Sequence, residues 1–186
     1  MKQVRRVVTG ASEAGTPVVV SDSMVDGAEL NLAPGHVFLT LWGSDSIPSV
    51  PNAGGEPGFQ SWYPPAGGSR FAVVTLPPRG TPPPDTSALT PEQIQAAMAD
   101  GIAEAEGKLP GLLPSMEPDH PGFHQSNTVE LVYVLSGEAV VDLDDGKTVS
   151  LSAGDSLVQN GIRHNWHNPG LEPLVLLVTM IGANRL

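Results

Sequence analysis

A chain of 186 residues is long enough to bury one substantial core, and a single domain spanning residues 1–186 is the expected organisation. The formal net charge is -11, and the nine lysines and arginines are spread thinly, so no basic stripe exists to neutralise phosphates; nucleic acid and anionic membrane surfaces are not expected partners. Cysteine is absent, which excludes disulfides, thiolate nucleophiles and zinc-thiolate sites and leaves His, carboxylate, amide or water to hold any metal.

The basic start, Met1 to Arg6, runs into Val7-Val8-Thr9-Gly10 before a signal-peptide apolar core can form. The longest apolar stretch, Leu174 to Ala183, is far below the roughly 20 residues that cross a bilayer, so a cytoplasmic protein is expected. Residues 1–76 hold β-rich runs at Val4 to Thr9, Thr16 to Ser21, His36 to Trp42 and Arg70 to Leu76. Between the last two, the Pro- and Gly-rich segment Ser44 to Ser69 carries Phe59, Trp62 and Tyr63. These aromatics are expected to plug one end of the core, with ligand contact as the alternative.

Residues 77–119 begin with Pro77 to Asp85, whose five prolines exclude an interior strand. Thr90-Pro91-Glu92-Gln93 then has the form of a capping box, and Ile94, Ala97, Met98, Ile102 and Ala105 recur at helical spacing. The pattern predicts an amphipathic helix over Pro91 to Glu106 that stops near Gly107. This helix is expected to pack as a lid across a barrel mouth beside the Ser44 to Ser69 loop, so that serine at Met98 and Ile102 would loosen ligand binding.

Residues 120–186 change character, with short alternating or apolar runs punctuated by glycine turns. Strands are predicted over Val129 to Leu135, Glu138 to Leu143, Thr148 to Leu151, Ser156 to Gln159 and Leu174 to Ile181, with a further strand that starts at His164 and carries Trp166 and Asn168. The close, regular spacing is that of an antiparallel barrel or sandwich. His124, Ser126 and Glu130 share one parity, so on an extended strand they project from one face. A buried carboxylate beside imidazoles needs compensation, and a divalent cation supplies it.

These residues resemble the two motifs of the cupin superfamily. The first is carried by His124-Gln125-Ser126, Asn127-Thr128-Val129, Glu130 and, after six residues, Gly137; the second by Gly154, Gln159-Asn160-Gly161, His164 and Asn168. Ser126 stands where the first motif has its second histidine, and Gln159 where the second motif has proline. The resemblance implies an all-β fold, an antiparallel jelly-roll barrel with one helix and N-terminal strands, and pairing of two copies as a homodimer. It also implies a divalent ion (Fe, Mn, Zn or Ni) on His124, Glu130 and His164, since two imidazoles and a carboxylate can bind such ions facially and leave positions open.

Ser126, Gln159 and Trp166 are expected to shape a pocket for a small organic molecule. His120 is expected in an exposed loop, although it could bend back as a replacement ligand; His167 and Tyr133 have outward parity; and nothing around His36 lifts it above an ordinary surface or core histidine. Two functions fit: a metal-dependent oxygenase, isomerase or lyase, or a metal-free barrel that binds or senses a small molecule.

Overall fold

The computed structural model describes residues 1–56 and 58–186. Eleven strands and one α-helix are present among them: β1 Gln3–Ala11, β2 Pro17–Asp26, β3 Ala28–Leu30, β4 Ala33–Ser44, β5 Ser69–Leu76, α1 Pro91–Lys108, β6 Thr128–Ser136, β7 Glu138–Leu143, β8 Thr148–Ser152, β9 Ser156–Asn160, β10 His164–His167 and β11 Leu174–Gly182. A six-stranded sheet in the order β3-β4-β5-β11-β6-β9 faces a three-stranded sheet in the order β10-β7-β8, and all pairings are antiparallel. The expected all-β jelly-roll barrel is what the chain forms.

The core lies between the two sheets. Val132, Val134, Leu176 and Val178 project inward from β6 and β11 and meet Ala139, Val141 and Leu151 from β7 and β8. Their period-two spacing is what put these segments on strands, and the intervening residues Leu131, Tyr133 and Leu135 face outward. Turns at Gly137, Gly146, Gly154 and Gly161 all take positive φ, between 65° and 97°, which is where glycine is required.

The N-terminal strands divide in a way the sequence did not show. Strands β3 to β5 join the main sheet, and the short β3 was not anticipated. β1 and β2 instead form a separate hairpin over the outer face of that sheet. Val4 and Val25 of the hairpin pack there against a small second core of Val37, Leu39, Leu41, Val73 and Val175.

The helix departs from expectation at its end and in its orientation. The capping box forms as read: Gln93 N donates to Thr90 Oγ1 at 3.3 Å and Thr90 N to Gln93 Oε1 at 2.8 Å. Gly107 does not stop the helix, which runs on to Lys108 because Lys108 Nζ ties the last turn to Glu104 and to the Glu29 carbonyl, and Leu109 is buried as the cap. The buried face is Gly101 and Ala105, whose small size lets the helix approach Leu32; a Cβ on Gly101 would come within 2.7 Å of the Leu32 side chain. Met98 and Ile102 are about half exposed and do not cover the barrel mouth, so the lid role expected for them is not supported by their placement. No helix among the described residues is long and apolar enough to cross a membrane.

Candidate functional site

A cavity of about 170 Å³ opens inside the barrel. Its lining runs diagonally across the large sheet: Glu130 and Val132 on β6, Val178 and Leu176 on β11, Val74 and Leu76 on β5, Phe38 and His36 on β4. Tilted strands in a closed barrel produce this pattern, because a ring around the barrel crosses neighbouring strands at staggered positions. The opposite wall is built from His124, Asn165 and Trp166, and Trp62 and Tyr63 enter from the loop after β4.

His124 and His164 are brought together by a reciprocal backbone bridge. His124 N donates to the His164 carbonyl and His164 N to the His124 carbonyl, both at 3.0 Å. The ring centroids stand 4.3 Å apart with the planes inclined at 55°. The two rings are held alike: His124 Nδ1 pairs with the Gly122 carbonyl at 3.0 Å and His164 Nδ1 with the Ile162 carbonyl at 2.9 Å. A carbonyl accepts only from N–H, so each Nδ1 carries a proton, and in a neutral ring so held the lone pair lies at Nε2. His164 Nε2 is buried and has no hydrogen-bond partner. Burial, reinforced by the neighbouring His124, holds the His164 ring below the usual imidazole range and therefore neutral at pH 7.

Glu130 faces the same cavity and is restrained by hydroxyls. Its Oε1 accepts from Ser126 Oγ at 2.8 Å and Thr128 Oγ1 at 3.0 Å, and all three residues are buried. Met180 and Gln159 flank Glu130 across the sheet, and Gln159 Nε2 is a second buried polar atom without a partner. The Tyr63 phenol, also in the cavity, is pushed well above its ordinary pKa by burial and by the Glu130 charge, so it stays protonated.

An ion of the expected kind can be tested against these donors. Two imidazoles with fixed tautomers and one orphaned Nε2 are the arrangement that metal-bound histidines show, with the second nitrogen tied to a carbonyl. The two imidazoles have the chemistry of ion ligands, but among the described residues no three of His, Asp and Glu stand at ion-holding spacing, and the Glu130 carboxylate is bonded to Ser126 and Thr128 instead.

The segment before His124 is strapped down by Arg163. Its guanidinium forks onto Glu117, two bonds of 2.6 Å, reaches Asp144 at 2.7 Å and lies 4.0 Å over the Phe123 ring. His120 is exposed on this strap and pairs with Glu117 at 3.3 Å rather than with His164.

Of the residues read from the sequence, His124, Glu130 and Trp166 line the cavity and His164 sits against His124. Ser126 and Gln159 are buried and do not line the cavity: Ser126 hydrogen-bonds to the Glu130 carboxylate, and Gln159 is paired beside Glu130 on the neighbouring strand. His124 lies on an isolated bridge and Ser126 precedes β6, so of the three only Glu130 is on that strand. Sequence reading missed His36 and Asn165 as lining residues, and for Trp62 and Tyr63 it is the alternative, ligand contact, that matches their place in the lining. The alternation of His36 with buried Val37 and Leu39 was a usable signal for the first; nothing local marks Asn165.

Residues 113–180 match a family model described as Cupin domain. A stretch of 54 residues is 35% identical to Oryzines biosynthesis cluster protein J of Aspergillus oryzae, covering 27% of this chain and 30% of that one. Among solved structures, the cupin domain of Schizosaccharomyces pombe Cnp3 aligns over 98% of this chain and 88% of its own at 13% identity, with a TM-score of 0.46. A predicted oxalate decarboxylase from Thermotoga maritima aligns over 84% and 92%, at 18% identity and a TM-score of 0.42.

Proposed function

We propose, from the match of residues 113–180 to a cupin-domain model and the site's donors, that the protein is a metal-dependent enzyme acting on a small organic molecule inside the barrel, of oxygenase, isomerase or lyase type. His124 and His164 are the imidazole ligands and Glu130 the carboxylate for an Fe, Mn, Zn or Ni ion. The observation that carries this reading is the orphaned, lone-pair-bearing Nε2 of His164 beside the matching His124 ring. When bound, such an ion polarises a carbonyl or hydroxyl oxygen of the substrate.

The chain's own residues do the rest. Phe38, Trp62, Leu176 and Val178 exclude water and grip an apolar body. The protonated Tyr63 phenol and Asn165 offer hydrogen bonds that orient it. Metal analysis of untagged full-length chain, before and after reloading, is expected to find close to one ion per chain. A chain that is metal-free and cannot be reloaded sinks the reading.

A second reading is a metal-free barrel that binds or senses a small molecule. The hydroxyls beside Glu130 favour it, since Ser126 Oγ and Thr128 Oγ1 both stand within hydrogen-bond distance of Glu130 Oε1 without an ion. Retained ligand binding by a chain that takes up no metal would select it.

We also propose that two copies pair through the outer face of β5-β11-β6-β9. Phe71, Thr179, Leu131 and Val158 form one row across these strands, and Tyr133, Leu135 and Ile181 extend it, all without a charged side chain in a chain of net charge -11. Phe71, Leu131, Tyr133 and Val158 are each at least 40% exposed, an apolar surface that a partner would cover. Sedimentation is expected to give a dimer that Leu131→Glu converts to monomer; a monomeric parent chain contradicts this.

A further inference from the structure

A polar residue that no ion-binding role uses also faces the cavity. Between Glu130 on β6 and His36 on β4, the large sheet presents only apolar side chains to the cavity, from Val178 and Leu176 to Val74 and Phe38. The His36 ring lies nearly parallel to Phe38, with centroids 6.4 Å apart and planes at 13°, and Phe38 meets Trp62 edge-on at 5.5 Å. Together they form an aromatic bed suited to a flat ligand.

His36 is not held as the other two histidines are. The carbonyls of Ala33 and Pro34 approach its ring, yet Nδ1 is enclosed without a hydrogen-bond partner. Burial depresses its basicity, so the ring is neutral at pH 7. With Nδ1 walled off, Nε2 is the nitrogen a ligand meets.

We propose that His36 is the specificity-determining residue of this cavity, and that its Nε2 recognises the hydroxyl of a neutral, roughly benzene-sized ligand such as a phenol or a cyclic enol. A hydroxyl both donates and accepts, so it satisfies either tautomer of a neutral imidazole. The size follows from the cavity of about 170 Å³, since an engineered apolar cavity of about 150 Å³ takes up benzene. Neutrality follows from the company: a ligand anion would meet Glu130, and a cation would lose its hydration against the apolar wall. The inference rests on the cavity being a ligand site, as in the proposed function, and not on the ion.

The test uses phenol and toluene, which share a shape and differ by the hydroxyl, titrated calorimetrically into the full chain with and without added metal. The parent chain is expected to bind phenol at least tenfold more tightly than toluene in both states. His36→Phe should bring the two within about twofold while toluene affinity is kept, and His36→Gln, which retains a hydrogen-bonding group, should keep most of the preference. In ¹⁵N-histidine spectra of the parent chain, phenol should shift the His36 Nε2 resonance. A phenol preference that survives His36→Phe, or no preference in the parent chain, overturns the proposal, as does failure of both probes to bind. If the chain takes up no metal but discriminates the probes through His36, the ion assignment fails and this one stands.

Discussion

Replacing His164 with alanine is expected to abolish ion binding, lowering affinity by at least about 100-fold, because loss of a ligand exceeds the 10- to 100-fold typical for loss of a group behind one. The side chain is 1% exposed and its Nε2 has no hydrogen-bond partner among the described residues, so the ring offers an unused buried lone pair of the kind the proposed ion would take up. In the ion-free chain the cost should be modest, about 1–2 kcal/mol, since lost packing is partly offset by removal of an unpaired buried nitrogen. Added metal at 100 times its dissociation constant should stabilise the parent chain by about 2.7 kcal/mol and leave the variant unmoved. Thermal unfolding with and without metal reads both effects. Equal stabilisation of the two chains would remove His164 from the site.

The largest loss of stability is expected at Arg70, which is 1% exposed. Its Nε and Nη2 donate to the Ser61 carbonyl at 3.0 and 2.7 Å, and its Nη1 to the carbonyls of Ser44 and Ser69 at 2.9 and 2.8 Å. Nη2 also pairs with Asp45, and the Phe59 ring lies 4.3 Å from the guanidinium. Gly43 makes room for this, since a Cβ there would come within 2.8 Å of Arg70 Cδ. Arg70→Met keeps much of the volume but strips the carbonyls and Asp45 of their partner, for a cost of about 3–5 kcal/mol that should lower the melting midpoint by roughly 10 °C. Arg70→Lys should recover only part, because a single ammonium cannot reproduce the fork. The loop that Arg70 pins carries Trp62 and Tyr63 into the cavity, so both variants should also weaken probe binding. Urea unfolding within about 1 kcal/mol of the parent chain would show that the network contributes little.

The contrast between these two residues shows what was legible in the sequence. The inward direction of His164 could be read because its signals are local, a glycine turn at Gly161 and shared parity with Trp166, while its link to Glu130, 34 residues back, came only from the family motif. Strands β6 to β11 were readable for the same reason, since period-two alternation and positive-φ glycines are properties of short segments. Arg70 was not, because its partners Ser44 and Ser61 lie 26 and 9 residues away and only the fold brings them together. His36 and Tyr63 reach the cavity from strands and loops whose order around the barrel no local pattern gives. The helix misled for a related reason: Met98 and Ile102 look like an apolar face, but the contact that orients α1 is Leu32 against Gly101, and glycine carries no hydrophobic signal. Ser126 was placed correctly as buried and inward, but it acts on the Glu130 carboxylate and not on a ligand.

The ion assignment is the claim on which most depends, and anomalous diffraction at a metal edge, from crystals of zinc- or manganese-loaded chain, tests it most directly. A single peak is predicted within ligand reach of both the His124 and the His164 ring. A peak held instead by His120 and Glu117, or none within reach of His164, would contradict it.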